Sequence, residues 1–262
     1  MISVVIAAHN EAAVIGRCLD GLVAADIDIT VVANGCTDHT ASVAAGFGVR
    51  VVSLDNPGKS DALNAGDEVA AGFPRAYLDA DIPLTADDLR ALASALERPG
   101  VLASTARREL DVRGRPLLVR AHSAINGRLP VYRAALFGRG VAMLSKEGRA
   151  RFDRFPDVVA DDLYLDSLFS DAEKVEVSSV VAVVATPRRT ADLVRRLARV
   201  RAANRALSSN SRSSSWLRDV VLPRPWLLPA AVGYVGLTLF AKRAARSSVG
   251  WGQDTSTRGD AS

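Results

Sequence analysis

Asp79 and Asp81 stand one residue apart in "PRAYLDADIPLT", directly after the apolar run that ends at Leu78. Two carboxylates so spaced at a strand end can set oxygens around a hard divalent cation. Mg2+ and Mn2+ take such ligands and also bind phosphate. A D-x-D spacing is short enough that loop capping is an equally simple use of the pair. Lys59 follows the turn-forming "NPG" and opens a helical run, so charge and helix N-terminus together can meet a phosphate there. A solvated lysine is the plainer alternative. Asp161 and Asp162 in "VADDLYLDSLF" offer a carboxylate able to take a proton from a hydroxyl. As the first residues of a helix they would also suit its dipole. His9, His39 and His122 are scattered without ligand spacing, and Cys18 and Cys36 form no metal-binding or disulfide pattern. No GxSxG or Ser/His/Asp arrangement points to hydrolase chemistry.

The elements that must position these residues are legible as alternating patterns. "SVVIAA", "DITVVA", "VRVVSL" and "RAYLDA" are short β-branched or apolar runs. Between them lie stretches such as "EAAVIGRCLDGLVAA" and "KSDALNAGDEVAAG" with helical periodicity, which together predict βαβ repetition. Thr85 and Asp88 in "TADDLRALASALE" form a capping box that opens a helix just after the aspartate pair. In open parallel sheets, ligands bind beyond the carboxyl ends of the strands. "AAHNE", "ANGCTDHT", "DNPGKSDALN" and "LDADIP" are all expected at that one edge.

The chain has 262 residues, of which 48% are hydrophobic and 24% charged, enough for one large α/β domain or one domain plus an appendage. "MISVVIAAHNEAAV" has neither a basic n-region nor a long apolar h-region, so it predicts an immediate strand and no secretion signal. The sequence pI of 9.4 belongs to the C-terminal part, where thirteen Lys and Arg stand against Asp192 and Asp219 between Arg188 and Arg246. Its first arginines lack interleaved aromatic residues, which argues against nucleic acid and for an anionic membrane surface. "TADLVRRLARVRAANRAL" places Leu193, Val194, Leu197, Val200 and Leu207 at the spacing of an amphipathic basic helix. After "SSNSRSSS" comes "PWLLPAAVGYVGLTLFA", Pro225 to Ala241, uncharged and interrupted by Pro229, Gly233 and Gly236. It is shorter than the ~20 residues of a comfortable span. Peripheral, re-entrant or single-segment association at the cytoplasmic face is expected, with packing back on the domain as the alternative. The predicted organisation is a domain over 1–207 and a basic, apolar extension over 208–262 with a disordered tail.

Taken in order, "VVIAAHNEAAVIGRCLDGL", "VVANGCTDHTA", "NPGKSDALNAG", "AYLDADIPLTADDL" and "VADDLYLDSLF" resemble the serial motifs of family 2 glycosyltransferases over about residues 1–205. The resemblance implies the GT-A fold, an α/β domain with a mostly parallel central sheet flanked by helices; the residues beyond it add a helical C-terminal extension. It further implies inverting transfer of a sugar from a nucleotide-sugar donor to an acceptor hydroxyl, with Mg2+ or Mn2+ on the diphosphate. Carried over residue by residue, Ala8, Asn10 and Glu11 would line the nucleoside, joined by Asn34 and Asp38 of the second loop. Lys59 would match the family's "GK" lysine, and Asp79 and Asp81 its metal-binding pair. Asp162 would be the base, with the charge of Asp161 beside it raising its proton affinity. Arg139 in "LFGRGVAM" would flank the acceptor. Ala33 and Asn34 stand where the family commonly has two acidic residues, and Ala7 and His9 where it often has proline and an aromatic residue. Arg196-Leu-Ala-Arg199-Val lacks the tryptophan of a processive motif, so a non-processive enzyme acting on a glycan or lipid-linked acceptor is expected. A sugar-nucleotide nucleotidyltransferase would need a glycine- and arginine-rich first loop, which "AAHNEAAVIG" is not. A catalytically silent nucleotide-sugar-binding or membrane-adaptor protein is the other alternative, opposed by the Asp79, Asp81 and Asp162 set.

Overall fold

A computed structural model describes residues 1–133, 135–157, 161–206 and 215–244. The chain begins with β1 (Ile2–Ala8), α1 (Ile15–Asp20), β2 (Ile27–Asn34), α2 (Thr40–Ala45), β3 (Arg50–Leu54), α3 (Lys59–Val69) and β4 (Arg75–Asp79). α4 (Ala86–Ala95), β5 (Ala103–Asp111), α5 (Leu117–Asn126), β6 (Val141–Leu144), α6 (Lys146–Arg149), α7 (Asp161–Ser167) and β7 (Lys174–Ala185) follow. α8 (Thr190–Ala206) and α9 (Leu228–Ala244) complete the described elements.

The seven strands form one sheet in the order β3-β2-β1-β4-β6-β5-β7. β3, β2, β1 and β4 run parallel, and β6 is antiparallel to both β4 and β5. β1 is apolar almost without interruption because both its faces are covered, and Val4, Val5 and Ile6 are fully buried. The predicted capping box is present at α4, where Asp88 N–H donates to Thr85 Oγ1 and Thr85 N–H to Asp88 Oδ2. The helix expected over "EAAVIGRCLDGLVAA" is confined to α1. Gly21 caps it, and the turn before α4 packs so closely there that a Cβ would lie 2.8 Å from the Leu84 carbonyl oxygen.

The register fixes the functional edge. Ala8 is paired with Ala33, Asn34 with Leu54, and Ala7 with Asp79, so the loops after β1, β2, β3 and β4 all leave the sheet on one side.

The chain divides into two compact units. One comprises 1–108 and 134–183 and holds most of the sheet. The other joins 109–133 to the described residues from 184 onward. In it, Leu237 and Ala241 of α9 pack with Val119 of α5 and Leu193 and Val194 of α8. Val200, expected on the apolar face of α8, is 48% exposed, because the buried apolar positions lie in the first half of that helix. The expected boundary at 207, Leu207 itself and the expected disordered tail lie outside the described residues. Among the described residues no helix is long and apolar enough to cross a membrane.

Candidate functional site

Lys59 is the first residue of α3, and Asp79 is the last of β4. Its ammonium bridges two carboxylates, Asp79 Oδ1 at 2.8 Å and Asp161 Oδ2 at 3.2 Å. A cation at a helix N-terminus opposes the dipole, and partial desolvation alone would lower its pKa. Asp161, Asp79 and Asp162 more than offset both, so Lys59 is held well above the ordinary lysine value and stays charged.

Asp162, beside Asp161 in the first turn of α7, is placed differently. Its Oδ2 accepts from Gly138 N–H at 2.8 Å and its Oδ1 from Leu163 N–H at 2.8 Å. Burial, then the like charge of Asp161, pushes its pKa up to about 6; Lys59 and the Gly138 amide pull the other way. The expected effect of Asp161 is therefore present, second to desolvation.

The "FGRG" segment ties these parts together. Asp79 N–H donates to Gly140 carbonyl oxygen at 2.8 Å, while Gly138 N–H reaches Asp162. Gly140 has φ +73°, and a Cβ on it would lie 2.4 Å from Ile82 Cγ1 and 3.3 Å from Asp79 Oδ2. Only glycine fits this close approach without displacing the strand end.

The residues expected to line the nucleoside make contacts between the loops. Asn34 is 3% exposed; its Nδ2 donates to the Ala8 carbonyl at 2.8 Å and its Oδ1 accepts from Gly58 N–H at 3.1 Å. One amide thus lashes the β1 and β2 loops to the turn before Lys59. Asn10, at φ 53°, accepts from Thr37 N–H at 2.8 Å through Oδ1. Asp38 accepts from Ala12 N–H, Thr40 N–H and the Thr40 hydroxyl. Burial would raise the Asp38 pKa, but these donors hold it below the usual carboxylate range. Glu11 is buried, and its N–H donates to Thr40 Oγ1 at 2.8 Å. Ala8, Asn10, Asn34 and Asp38 thus brace the loops to one another.

Arg139, between Gly138 and Gly140, turns its side chain inward. It is 1% exposed, and its guanidinium donates to the carbonyls of Ala135 and Ala106 and pairs with Glu176. A buried guanidinium needs such partners, and they turn it into the fold. The sequence reading missed two other residues. Asn64 exchanges both amide hydrogen bonds with the Phe155 backbone, at 3.0 and 2.8 Å, fixing the chain ahead of Asp161. Asp166, one turn after Asp162, accepts from Leu136 N–H at 2.8 Å and pairs with buried Lys174. The i, i+4 spacing of Asp162 and Asp166 was the available signal.

Asp81 is exposed on the turn after β4, and Asp79 is half-buried at its root. Among the described residues no three acidic, His or Cys side chains stand together as a complete cage for a metal. Mg2+ and Mn2+ need no such cage, since one or two carboxylates plus substrate phosphates suffice, so the pair fits a cation shared with a diphosphate.

The Asn34 geometry gives a first testable consequence. Asn34→Asp would place there the acidic residue that the resemblance leads one to expect, yet it would remove the amide donor from the Ala8 carbonyl and face that carbonyl with a carboxylate. A cost of ~1–3 kcal/mol is expected, seen as a lower Tm by calorimetry with no gain in nucleotide affinity. An unchanged Tm would show that the amide does not brace the loops.

Two proteins described as uncharacterized glycosyltransferases, of Mycobacterium bovis and Mycobacterium tuberculosis, are each 34% identical to this chain over 109 residues. The match covers 39% of this chain and 50% of theirs, so the chain spans about half the length of these curated relatives. Among solved structures, glucosyl-3-phosphoglycerate synthase from Mycobacterium tuberculosis with Mn2+, UDP and glucosyl-3-phosphoglycerate superposes with TM-score 0.53 at 23% identity, over 72% of each chain. The same enzyme with Mg2+ and UDP gives TM-score 0.52 at 22% identity, over 72% of this chain and 71% of that one. At that identity the likeness shows the fold alone, that of the GT-A glycosyltransferases. The model of the family described as glycosyl transferase family 2 matches residues 3–144, more than half of the sequence, from the second residue of β1 to the end of β6, and to that family this chain belongs.

Proposed function

We propose that this chain transfers a sugar from a nucleotide-sugar to a hydroxyl of a glycan or lipid-linked acceptor. The transfer inverts the anomeric carbon, is non-processive, and serves polysaccharide or glycolipid synthesis on the cytoplasmic face of the cell membrane. The observation that supports it most is Asp162, a carboxylate with raised proton affinity held beside Lys59, Asp79 and Asp161 at the edge where the loops converge. The strongly basic C-terminal sequence supports an anionic membrane surface as the place where acceptor is met.

The donor diphosphate would lie over the N-terminus of α3, where Lys59 meets it as a charged group. A divalent cation on Asp79 and Asp81 would supply Lewis-acid neutralisation of the charge that grows on the departing diphosphate. Asp162 would accept the proton of the acceptor hydroxyl as its oxygen bonds the anomeric carbon and the bond from that carbon to the phosphate oxygen breaks. A base whose pKa lies near 6 is ionised at neutral pH yet more basic than an ordinary aspartate, which suits the task.

A panel of UDP-, GDP- and dTDP-sugars tests the reading, with UDP-sugars first because solved relatives of the same fold hold UDP. Acceptor-dependent release of a nucleoside diphosphate is expected with one base; no release across the panel with glycan and lipid-linked acceptors would overturn it. With that donor, kcat/KM should rise with pH through an apparent pKa near 6 and then level, because the base works deprotonated. Asp161→Asn removes a like charge, so the limb should move to lower pH with a smaller loss of turnover than changes at Asp162. A limb unmoved in Asp161→Asn would detach the pH dependence from this pair.

A further inference from the structure

We propose that α9 and the first turn of α5 form an in-plane docking face for an anionic bilayer, one that rests on the surface without spanning or re-entering it. This deepens the membrane reading above and rests on it.

The inner side of α9 and of the turn before it is packed against the unit. Leu227 and Ala231 are buried with Ile125, Val220 and Val221, and Leu237 and Ala241 with Val119, Leu193 and Val194. Tyr234 stacks on His122 with ring centroids 5.1 Å apart. A re-entrant path would tear these contacts from α5 and α8. The outer side is apolar as well. Trp226, Leu228, Val232, Leu239 and Phe240 are 54–76% exposed, and no charge interrupts the stripe before Lys242. Leu117, 77% exposed, and Leu118 extend it from α5; Leu118 lies 3.4 Å from the Cβ position of Gly233 on α9. An ordinary surface helix turns polar residues outward, so an apolar outer face marks a surface that meets something other than water.

Charge says what that is. The described residues of this unit carry sixteen Lys and Arg against four Asp and Glu, whereas the other unit carries fourteen against twenty-three. Three of the four acids, Asp111, Asp192 and Asp219, are already paired with Arg113, Arg195 and Arg218. An uncharged apolar face with a tryptophan at its start, in a strongly basic unit, matches the interfacial zone of an anionic membrane.

Flotation of the full chain with vesicles of phosphatidylglycerol and phosphatidylcholine, at low salt, tests the proposal. The protein should float with these vesicles, stay down with phosphatidylcholine alone, and come off in alkaline carbonate. Trp226→Ser/Val232→Ser/Phe240→Ser should lower the bound fraction about 10-fold with an unchanged Tm, since all three side chains face out. If that variant melts early, Leu228→Ser/Leu239→Ser should give the same loss. Wild type that never floats overturns the membrane reading and the docking face together. Wild type and both variants floating alike keeps the membrane reading and overturns the face. Retention through carbonate overturns the in-plane placement. A dimer that the triple variant dissociates, with no flotation, assigns the face to a second copy of the chain and overturns the lipid.

Discussion

Asp162→Asn should bind donor normally and lose about 100- to 10,000-fold in kcat, the usual contribution of a positioned base. Asparagine keeps the shape of the side chain, and its carbonyl oxygen can still accept one of the bonds that Gly138 N–H and Leu163 N–H now make. What it cannot do is accept the acceptor's proton. The loss should fall on kcat, with calorimetric donor affinity within a few-fold of wild type, because Asp162 is assigned to the acceptor hydroxyl. Near-normal turnover would move the base to another residue. An equal loss of donor affinity would instead make Asp162 part of the donor site.

The second large effect concerns charge. A nucleoside diphosphate bound as proposed would meet Asp79, Asp81, Asp161 and Asp162, with Lys59 paired to Asp79 and Asp161. Carboxylates and phosphate oxygens repel unless a cation is shared between them. Donor affinity measured by calorimetry should therefore be lost in excess chelator and restored by Mn2+ or Mg2+. Asp81→Ala should abolish the restoration, since Asp81 is exposed on the turn after β4 and is the second carboxylate of the pair that would hold the cation. Undiminished affinity in chelator would remove the metal from donor binding.

The parallel half of the fold was legible because βαβ order and two-sided burial write themselves as short apolar strands between helical runs. β1 to β4, their common edge and the box at Thr85 and Asp88 all followed from pattern. The approach of Asp161 to Lys59 did not, since about a hundred residues separate them and only the family resemblance linked their motifs. The polar loop residues were harder still. Asn10, Asn34 and Asp38 have side chains equally able to hold a ligand or a neighbouring loop, and only coordinates show that backbone amides and carbonyls occupy them. The burial of Arg139 was hidden for a similar reason: a sequence cannot say that Ala106, Ala135 and Glu176 partner its guanidinium. The apolar run from Pro225 was recognised as unusual, but its two apolar sides became separable only once α5 and α8 were seen against one of them.

The most direct test of the central claim is the anomeric configuration of the product formed from an α-linked nucleotide-sugar, read by proton NMR during turnover. A single displacement with Asp162 as base predicts a β-linked product from the first detectable turnover, and its formation should vanish with Asp162→Asn. An α-linked product would contradict the account, because retention requires either a second displacement or a front-face path in which this carboxylate has no such role.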